Sequence, residues 1–161
     1  MKEILRTRRL LLREMTEQDI PDLEEILLDP EVTYAYPHTF TKEDVENWLA
    51  RQQQRYRQDG FGLWAVVLRS TGEMVGQAGL TWQDCEGQPV LEVGYLLKKR
   101  FWRRGYASEA ARACRDYAFQ TLGAEKVSSI IKTDNLASIR VAQRNGMARE
   151  KAFTAHYYNV P

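Results

Sequence analysis

The spacing of hydrophobic and polar positions changes period several times along the chain, and each change marks an element. Residues 5 to 14 alternate, with Leu10 and Leu12 on one face, and predict a first strand. Thr16 follows as an N-cap, and Ile20, Leu23 and Leu27 recur at helical spacing until Asp29-Pro30 ends the segment. An aromatic loop of Tyr34, Tyr36, Pro37, His38 and Phe40 leads to Thr41, which caps a second helix. Its buried stripe is Val45, Trp48, Leu49, Gln52 and Tyr56, and Asp59-Gly60 stops it. Alternation returns over 61–68, 74–82 and 90–97, joined by Ser70-Thr71-Gly72 and by the turn-rich 84–89, which predicts an antiparallel meander. A third helix spans 106–122, with Ala107, Ala110, Ala111, Cys114, Tyr117 and Ala118 toward the sheet and Gly123 as its cap. A strand over 126–132, a short helix over 136–145 closed by Gly146, and an extended stretch over 147–158 complete the pattern. The order β-α-α-β-β-β-α-β-α-β predicts a mixed α/β (α+β) domain with about four helices, its sheet antiparallel first and parallel later.

Composition narrows the function. A chain of 161 residues holds one domain, taken as 1–161. The net charge of +1 hides two opposed clusters, basic over 98–104 and acidic at Glu17, Asp19, Asp22, Glu24 and Glu25. Without a global basic field, nucleic acid is not an expected partner. No apolar run reaches the roughly 20 residues that span a bilayer, so a membrane is not expected either. The two cysteines, Cys85 and Cys114, together with the absence of a signal-peptide pattern, predict a cytoplasmic protein with reduced thiols. Neither these cysteines nor His38 and His156 have metal-ligand spacing, and no metal is expected.

The chemistry concentrates where the alternating run ending at Leu97 enters the basic turn Lys98-Lys99-Arg100-Phe101-Trp102-Arg103-Arg104-Gly105 and then a helix. The first N–H groups of a helix lack partners and sit at the positive end of its dipole, which outlines a pyrophosphate cradle. Gly105 and Ala107 keep side chains away from the backbone there, while Lys99, Arg100, Arg103 and Arg104 supply mobile positive charge. The spacing matches neither a Walker loop nor a dinucleotide fingerprint.

Several segments, in order, resemble the GNAT N-acetyltransferase superfamily: Arg8-Arg9-Leu10-Leu11-Leu12-Arg13, Glu92-Val93-Gly94-Tyr95-Leu96-Leu97, Trp102-Arg103-Arg104-Gly105-Tyr106-Ala107-Ser108-Glu109-Ala110, and Thr133-Asp134-Asn135-Leu136-Ala137-Ser138 followed by Arg144-Asn145-Gly146-Met147. The nearest branch looks like the ribosomal-protein-alanine N-acetyltransferases and their small-molecule-modifying relatives. Trp102 stands where the wider superfamily usually has Gln or Arg, as it commonly does in that branch. Such proteins usually carry one more strand than is legible before Pro161. The resemblance therefore implies an open sheet edge that would favour a homodimer.

What the resemblance implies is acetyl-CoA as co-substrate and a primary amine as acceptor, either a protein N-terminus or a small molecule, in a centrally splayed sheet. Tyr95, Leu96 and Leu97 would pair with the pantetheine arm, and the N–H groups of Arg103, Arg104, Gly105, Tyr106 and Ala107 would carry the pyrophosphate. Glu92 would be the general base, acting directly or through water. Asn135 would bond the pantetheine, and Ser138 would protonate the leaving thiolate, with Tyr157 and Tyr158 as weaker candidates. Capping of the short helix is the alternative role for Asn135. The aromatic loop with Trp82 would line the acceptor pocket, and the acidic first helix leaves a polyamine acceptor open. A CoA-binding module without turnover is the alternative function.

Overall fold

The computed structural model describes residues 2–34, 36, 39–131 and 135–147. The first alternating run is not one strand but a hairpin of β1 (Glu3–Arg6) and β2 (Leu10–Arg13). The polar run Thr7-Arg8-Arg9 forms the turn, with the Thr7 N–H donating to Leu10 O at 2.8 Å and the Leu10 N–H to the Thr7 hydroxyl at 3.1 Å.

The helices begin where side chains replace missing backbone partners. Thr16 and Asp19 form a reciprocal capping box at a single 3-10 turn, Glu17–Asp19, which runs into α1 (Ile20–Leu27). Thr41 and Asp44 repeat the device at α2 (Lys42–Asp59), and Gly60, at φ +83°, ends it.

The meander is β3 (Leu63–Leu68), β4 (Met74–Cys85) and β5 (Gln88–Leu97), giving, among the described residues, a five-stranded antiparallel sheet in chain order. The loop expected over 84–89 shrinks to the two residues Glu86 and Gly87, both at positive φ, and the strands extend to the pair Cys85–Gln88. Pro89 is tolerated because its position faces away from β4, where no ladder bond is required of it.

Past β5, a 3-10 turn (Lys99–Phe101) leads to α3 (Tyr106–Gln120), two residues shorter than expected, and later to α4 (Leu136–Arg144). The strand expected over 126–132 is, among the described residues, a single parallel bridge. The Ser128 N–H donates to Leu91 O at 2.9 Å, and Ser128 O accepts the Val93 N–H at 2.8 Å. The extended stretch expected after Met147 lies outside the described residues. The result is a mixed α/β fold with four α-helices among the described residues.

The two sheet faces bury different partners. Leu10, Leu12, Trp64, Val66, Leu80, Leu91, Val93 and Leu97 pack against the α3 stripe Ala110, Ala111, Cys114 and Ala118. The opposite face, with Leu63, Ala65 and Met74, packs against Leu23, Ile26 and Leu27 of α1 and Val45 and Leu49 of α2. Even-numbered residues of β5 face α1 and α2; odd-numbered ones face α3. That parity places Glu92 and Gly94 on one face and Tyr95 on the other.

Candidate active site

Register decides which backbone groups of β5 are free. The Leu80 N–H donates to Gly62 O, so the Leu80–Val93 pair does not exchange bonds across β4 and β5. Val93 turns its N–H to Ser128 O, and the Ser129 hydroxyl donates to Val93 O at 2.9 Å. By the same parity Tyr95 and Leu97 face outward, whereas the Leu96 backbone is turned to Gln77 of β4. Among the described residues the Tyr95 N–H and C=O and the Leu97 N–H have no partner; Leu97 O accepts the Trp102 indole N–H at 3.0 Å. The edge left open by the divergence after Ser128 is thus short and made of Tyr95 and Leu97.

The basic turn differs from expectation in where its charge goes. Lys98 is buried, 1% exposed, with its ammonium 2.7 Å from Asp22 and 3.5 Å from Glu25. Lys99 pairs with Glu31, and Arg100 with Glu25 at 2.8 Å and Glu73 at 2.5 Å. Lys99 and Arg100 are therefore not mobile charges, because the acidic first helix and its flanks hold them. The same pairings occupy much of the acidic cluster, since Asp19 is held in a two-point bond by Arg13 at 2.8 and 2.9 Å. An acidic mouth for a polyamine is correspondingly reduced. Among the described residues Arg103 and Arg104 have no carboxylate partner.

Arg103 at φ +64° and Gly105 at φ +80° bend the chain into α3. Among the described residues none of the N–H groups of 103–108 has an acceptor, and the buried Ser108 hydroxyl has none either. Glu109 closes the first turn, accepting from the Thr7 hydroxyl at 2.5 Å, the Arg9 N–H at 3.0 Å and Arg9 Nε at 2.7 Å. A row of unpaired N–H groups one turn beyond an unpaired strand edge fits a ligand with phosphates at one end and amides along its length.

Glu92 projects from β5 toward α2, opposite Thr81. Its Oε2 accepts the Ile130 N–H at 2.7 Å. Burial pushes its carboxyl up to about 7, opposed by that hydrogen bond and by the charge of Arg55. Beside it Gly94 leaves the floor bare. A Cβ there would meet only Leu63 Cδ2 at 3.7 Å and Glu92 Oε1 at 4.0 Å.

On the other face, the Tyr95 phenol donates to Ser138 O at 2.9 Å and is pushed up to about 12 by burial. Asn135 caps α4, its Oδ1 accepting the Ser138 N–H at 3.3 Å and the Tyr34 phenol at 2.8 Å. Capping is thus a role Asn135 demonstrably has. Of the aromatic loop, Tyr36 and Phe40 stack edge to face with each other and with Trp48 of α2, at 5.5–6.1 Å. Trp82 lies on the opposite face, against Phe61, and does not join them. Pro37, His38, Thr133, Asp134, His156, Tyr157 and Tyr158 lie outside the described residues. Among the described residues no group of three His, Cys, Asp or Glu is placed to hold a metal, and no helix is long and apolar enough to cross a membrane.

Two contributors escaped the sequence pattern, Ile130 and Arg55. Only Arg55 left a trace, since it follows Gln52 by three residues on the otherwise apolar stripe of α2.

The sheet, the divergence beyond Ser128 and the turn into α3 define an acetyltransferase-type fold. The chain belongs to the acetyltransferase (GNAT) domain family, which it matches over residues 9–148. It is 38% identical to the Bacillus subtilis protein YkkB over 161 residues, 99% of this chain and 92% of that one. Its structure is similar to a GNAT-family acetyltransferase of Bacillus anthracis, with a TM-score of 0.80 at 26% identity over 97% of this chain and 91% of the other. It is also similar to an acetyltransferase of Agrobacterium tumefaciens, with a TM-score of 0.80 at 30% identity over 91% and 83%.

Proposed function

We propose that the protein transfers the acetyl group of acetyl-CoA to a primary amine, a protein N-terminal α-amine or a small-molecule amine, in a ternary complex. The observation that carries this reading is the Glu92 carboxyl, held by Ile130 beside a strand edge that opens toward the free N–H row of α3. Tyr95 and Leu97 would bond the amides of the bound co-substrate. The N–H groups of Arg103, Arg104, Gly105, Tyr106 and Ala107, with the two guanidinium groups, would hold its phosphates. The co-substrate supplies an acetyl thioester.

Glu92 prepares the nucleophile. An α-ammonium ionises near 8 and a lysine near 10.4, so a carboxylate near 7 takes the first proton at a cost of about 1.4 kcal/mol and the second at about 4.6 kcal/mol. The site therefore favours α-amines and other weakly basic amines. Nitrogen then bonds to the acetyl carbon, the carbon–sulfur bond breaks with its electron pair on sulfur, and the nitrogen's second proton passes to the thiolate, leaving a neutral amide and a thiol. The Ser138 hydroxyl is the proposed relay, giving its own proton to sulfur and recovering the one released by nitrogen, in a helix turn whose carbonyl the Tyr95 phenol pins. Leu96 would contribute through its side chain, which faces α1 and α2, rather than through its backbone.

The test is incubation of the protein with acetyl-CoA and a panel of amino-terminal peptides and small amines, read by mass spectrometry beside calorimetry of acetyl-CoA. Acetylated product that disappears with Glu92→Gln while acetyl-CoA still binds is the expected result. Binding without transfer to any amine would instead favour a CoA-responsive module.

A further inference from the structure

Arg55 is an unusual presence on its helix. It is partly buried on α2, three residues beyond the fully buried Gln52, and its guanidinium offers five N–H donors. Among the described residues only one is used, NH1 to Gln52 Oε1 at 3.2 Å. That same Gln52 oxygen accepts the Leu63 N–H at 3.1 Å, which fixes the guanidinium at the entrance of β3. No Arg55 nitrogen is both buried and unpaired, so its remaining donors face solvent and are available to an anion that docks beside them.

The surroundings show where that anion would sit. Leu63 pairs with Gly79 and Gly79 with Gly94, so a line across the sheet runs from the Gln52–Arg55 anchor to the bare floor beside Glu92. Leu63 Cδ2 and Glu92 Oε1 both border the space above Gly94. Arg55 and Glu92 are close enough to act on each other electrostatically, yet they form no direct ion pair. The other charged and titratable groups acting on Arg55 are Arg51 and Asp59 of its own helix and Tyr36 of the preceding loop. A proton acceptor and a guanidinium with donors to spare, set on the same side of the sheet around the bare Gly94, match a molecule whose amine and carboxylate are close together.

We propose that Arg55 is a specificity residue that binds a carboxylate of the acceptor, so that the preferred acceptor is an amine bearing a nearby acid group. Two sources share that chemistry, a free α-amino acid and a peptide whose first residues carry Asp or Glu. This inference rests on the acetyl-transfer reading of the site. Arg55 fixes which amine is taken, and Glu92 activates it. Lysine in place of Arg55 would keep the charge but lose the planar fork that matches a carboxylate at two points.

The experiment pairs acceptors that differ only in charge: L-amino acids as free acids and as α-amides, and aspartyl peptides against asparaginyl ones. Each is assayed for acetylation by the wild type, Arg55→Gln and Arg55→Lys. Charge-assisted hydrogen bonds of this kind are worth about 10- to 100-fold in affinity. The wild type should therefore prefer one acid series by at least about tenfold in kcat/KM, carried mainly by KM, and the preference should fall toward unity in Arg55→Gln and only partly in Arg55→Lys. The series that shows the preference identifies the source of the carboxylate. Calorimetry of the same pairs with the CoA complex of Glu92→Gln reads the inference without turnover. Acid-selective binding that Arg55→Gln abolishes would sustain it even if no amine were acetylated, which would sink only the transfer reading. Equal handling of acid and amide by the wild type, in both assays, would overturn it, as would an acid preference that survives in Arg55→Gln.

Discussion

Glu92 Oε2 lies 2.7 Å from the Ile130 backbone nitrogen, so the segment that leaves the sheet after Ser128 ends by fixing the carboxyl of the strand it has just left. The divergence that opens the β5 edge and the bond that orients the candidate base are thus one feature. As a base, Glu92 must be ionised. The acetylation rate should accordingly rise with pH through a midpoint near 7, set by burial, and plateau above it. Glu92→Gln, whose amide oxygen can still accept the Ile130 N–H, should lower kcat/KM by about 10²- to 10⁴-fold and remove that limb of the profile. A wild-type profile flat from pH 5 to pH 9 would exclude Glu92 as the base.

The same carboxyl makes a prediction about stability that needs no substrate. Its folded-state pKa of about 7 stands above the ordinary 4.5, so the folded protein holds this proton more tightly than the unfolded chain. Its contribution is fully present below about pH 4.5 and is lost as pH rises through 7, a difference on the order of 3 kcal/mol. Glu92→Gln removes the ionisation. Denaturant melts should show the variant more stable than wild type at pH 8 and converging with it near pH 4.5. A constant gap at every pH would mean that the carboxyl titrates normally.

The turn before α3 divides its basic residues into two kinds. Lys99 and Arg100 are held by Glu31, Glu25 and Glu73, whereas Arg103 and Arg104 lack carboxylate partners among the described residues. Arg103→Ala with Arg104→Ala should weaken acetyl-CoA binding by about 10- to 100-fold, with the loss shrinking as salt is raised. Lys99→Ala with Arg100→Ala removes surface pairs that are worth little and should shift binding by about twofold at most. Calorimetry at two ionic strengths separates the cases, and equal losses from both double variants would show that general charge rather than position matters.

What the sequence made legible follows from which interactions are local. The capping residues Thr16 and Thr41, the α2 stripe and the small-residue face of α3 were readable because period and capping act within a few residues. The β1–β2 turn was missed because its residues, Thr7, Arg8 and Arg9, include no Gly, Pro, Asn or Asp to interrupt the alternating run. The strand expected over 126–132 carried the right composition, yet a strand also needs a neighbour, and past Ser128 the chain leaves β5. Glu92, Tyr95 and Gly105 could be placed on their strand and turn from the sequence because motif and element coincide there. Which of Tyr95, Leu96 and Leu97 keeps a free amide required the register, and the fate of Lys99 and Arg100 required knowing that the acidic first helix lies against the basic turn.

Lys98 shows what that acid–base contact is for. Its stem is buried while its ammonium meets Asp22 at 2.7 Å, and its backbone donates to Val75 O at 2.9 Å and accepts from Phe101 N at 3.0 Å. The residue therefore ties α1, the end of β5 and the start of the turn together. Lys98→Ala removes the stem as well as the charge and should cost about 2–4 kcal/mol. That corresponds to a fall in Tm of roughly 5–15 °C for a chain of this length. Lys98→Met keeps the volume, and Asp22, with 37% of its side chain exposed, is free to hydrate. Its cost should be about 1 kcal/mol. Thermal melts of the two variants measure the difference: a large loss in alanine alone assigns the role to packing of the stem, and equal large losses would assign it to the ion pair.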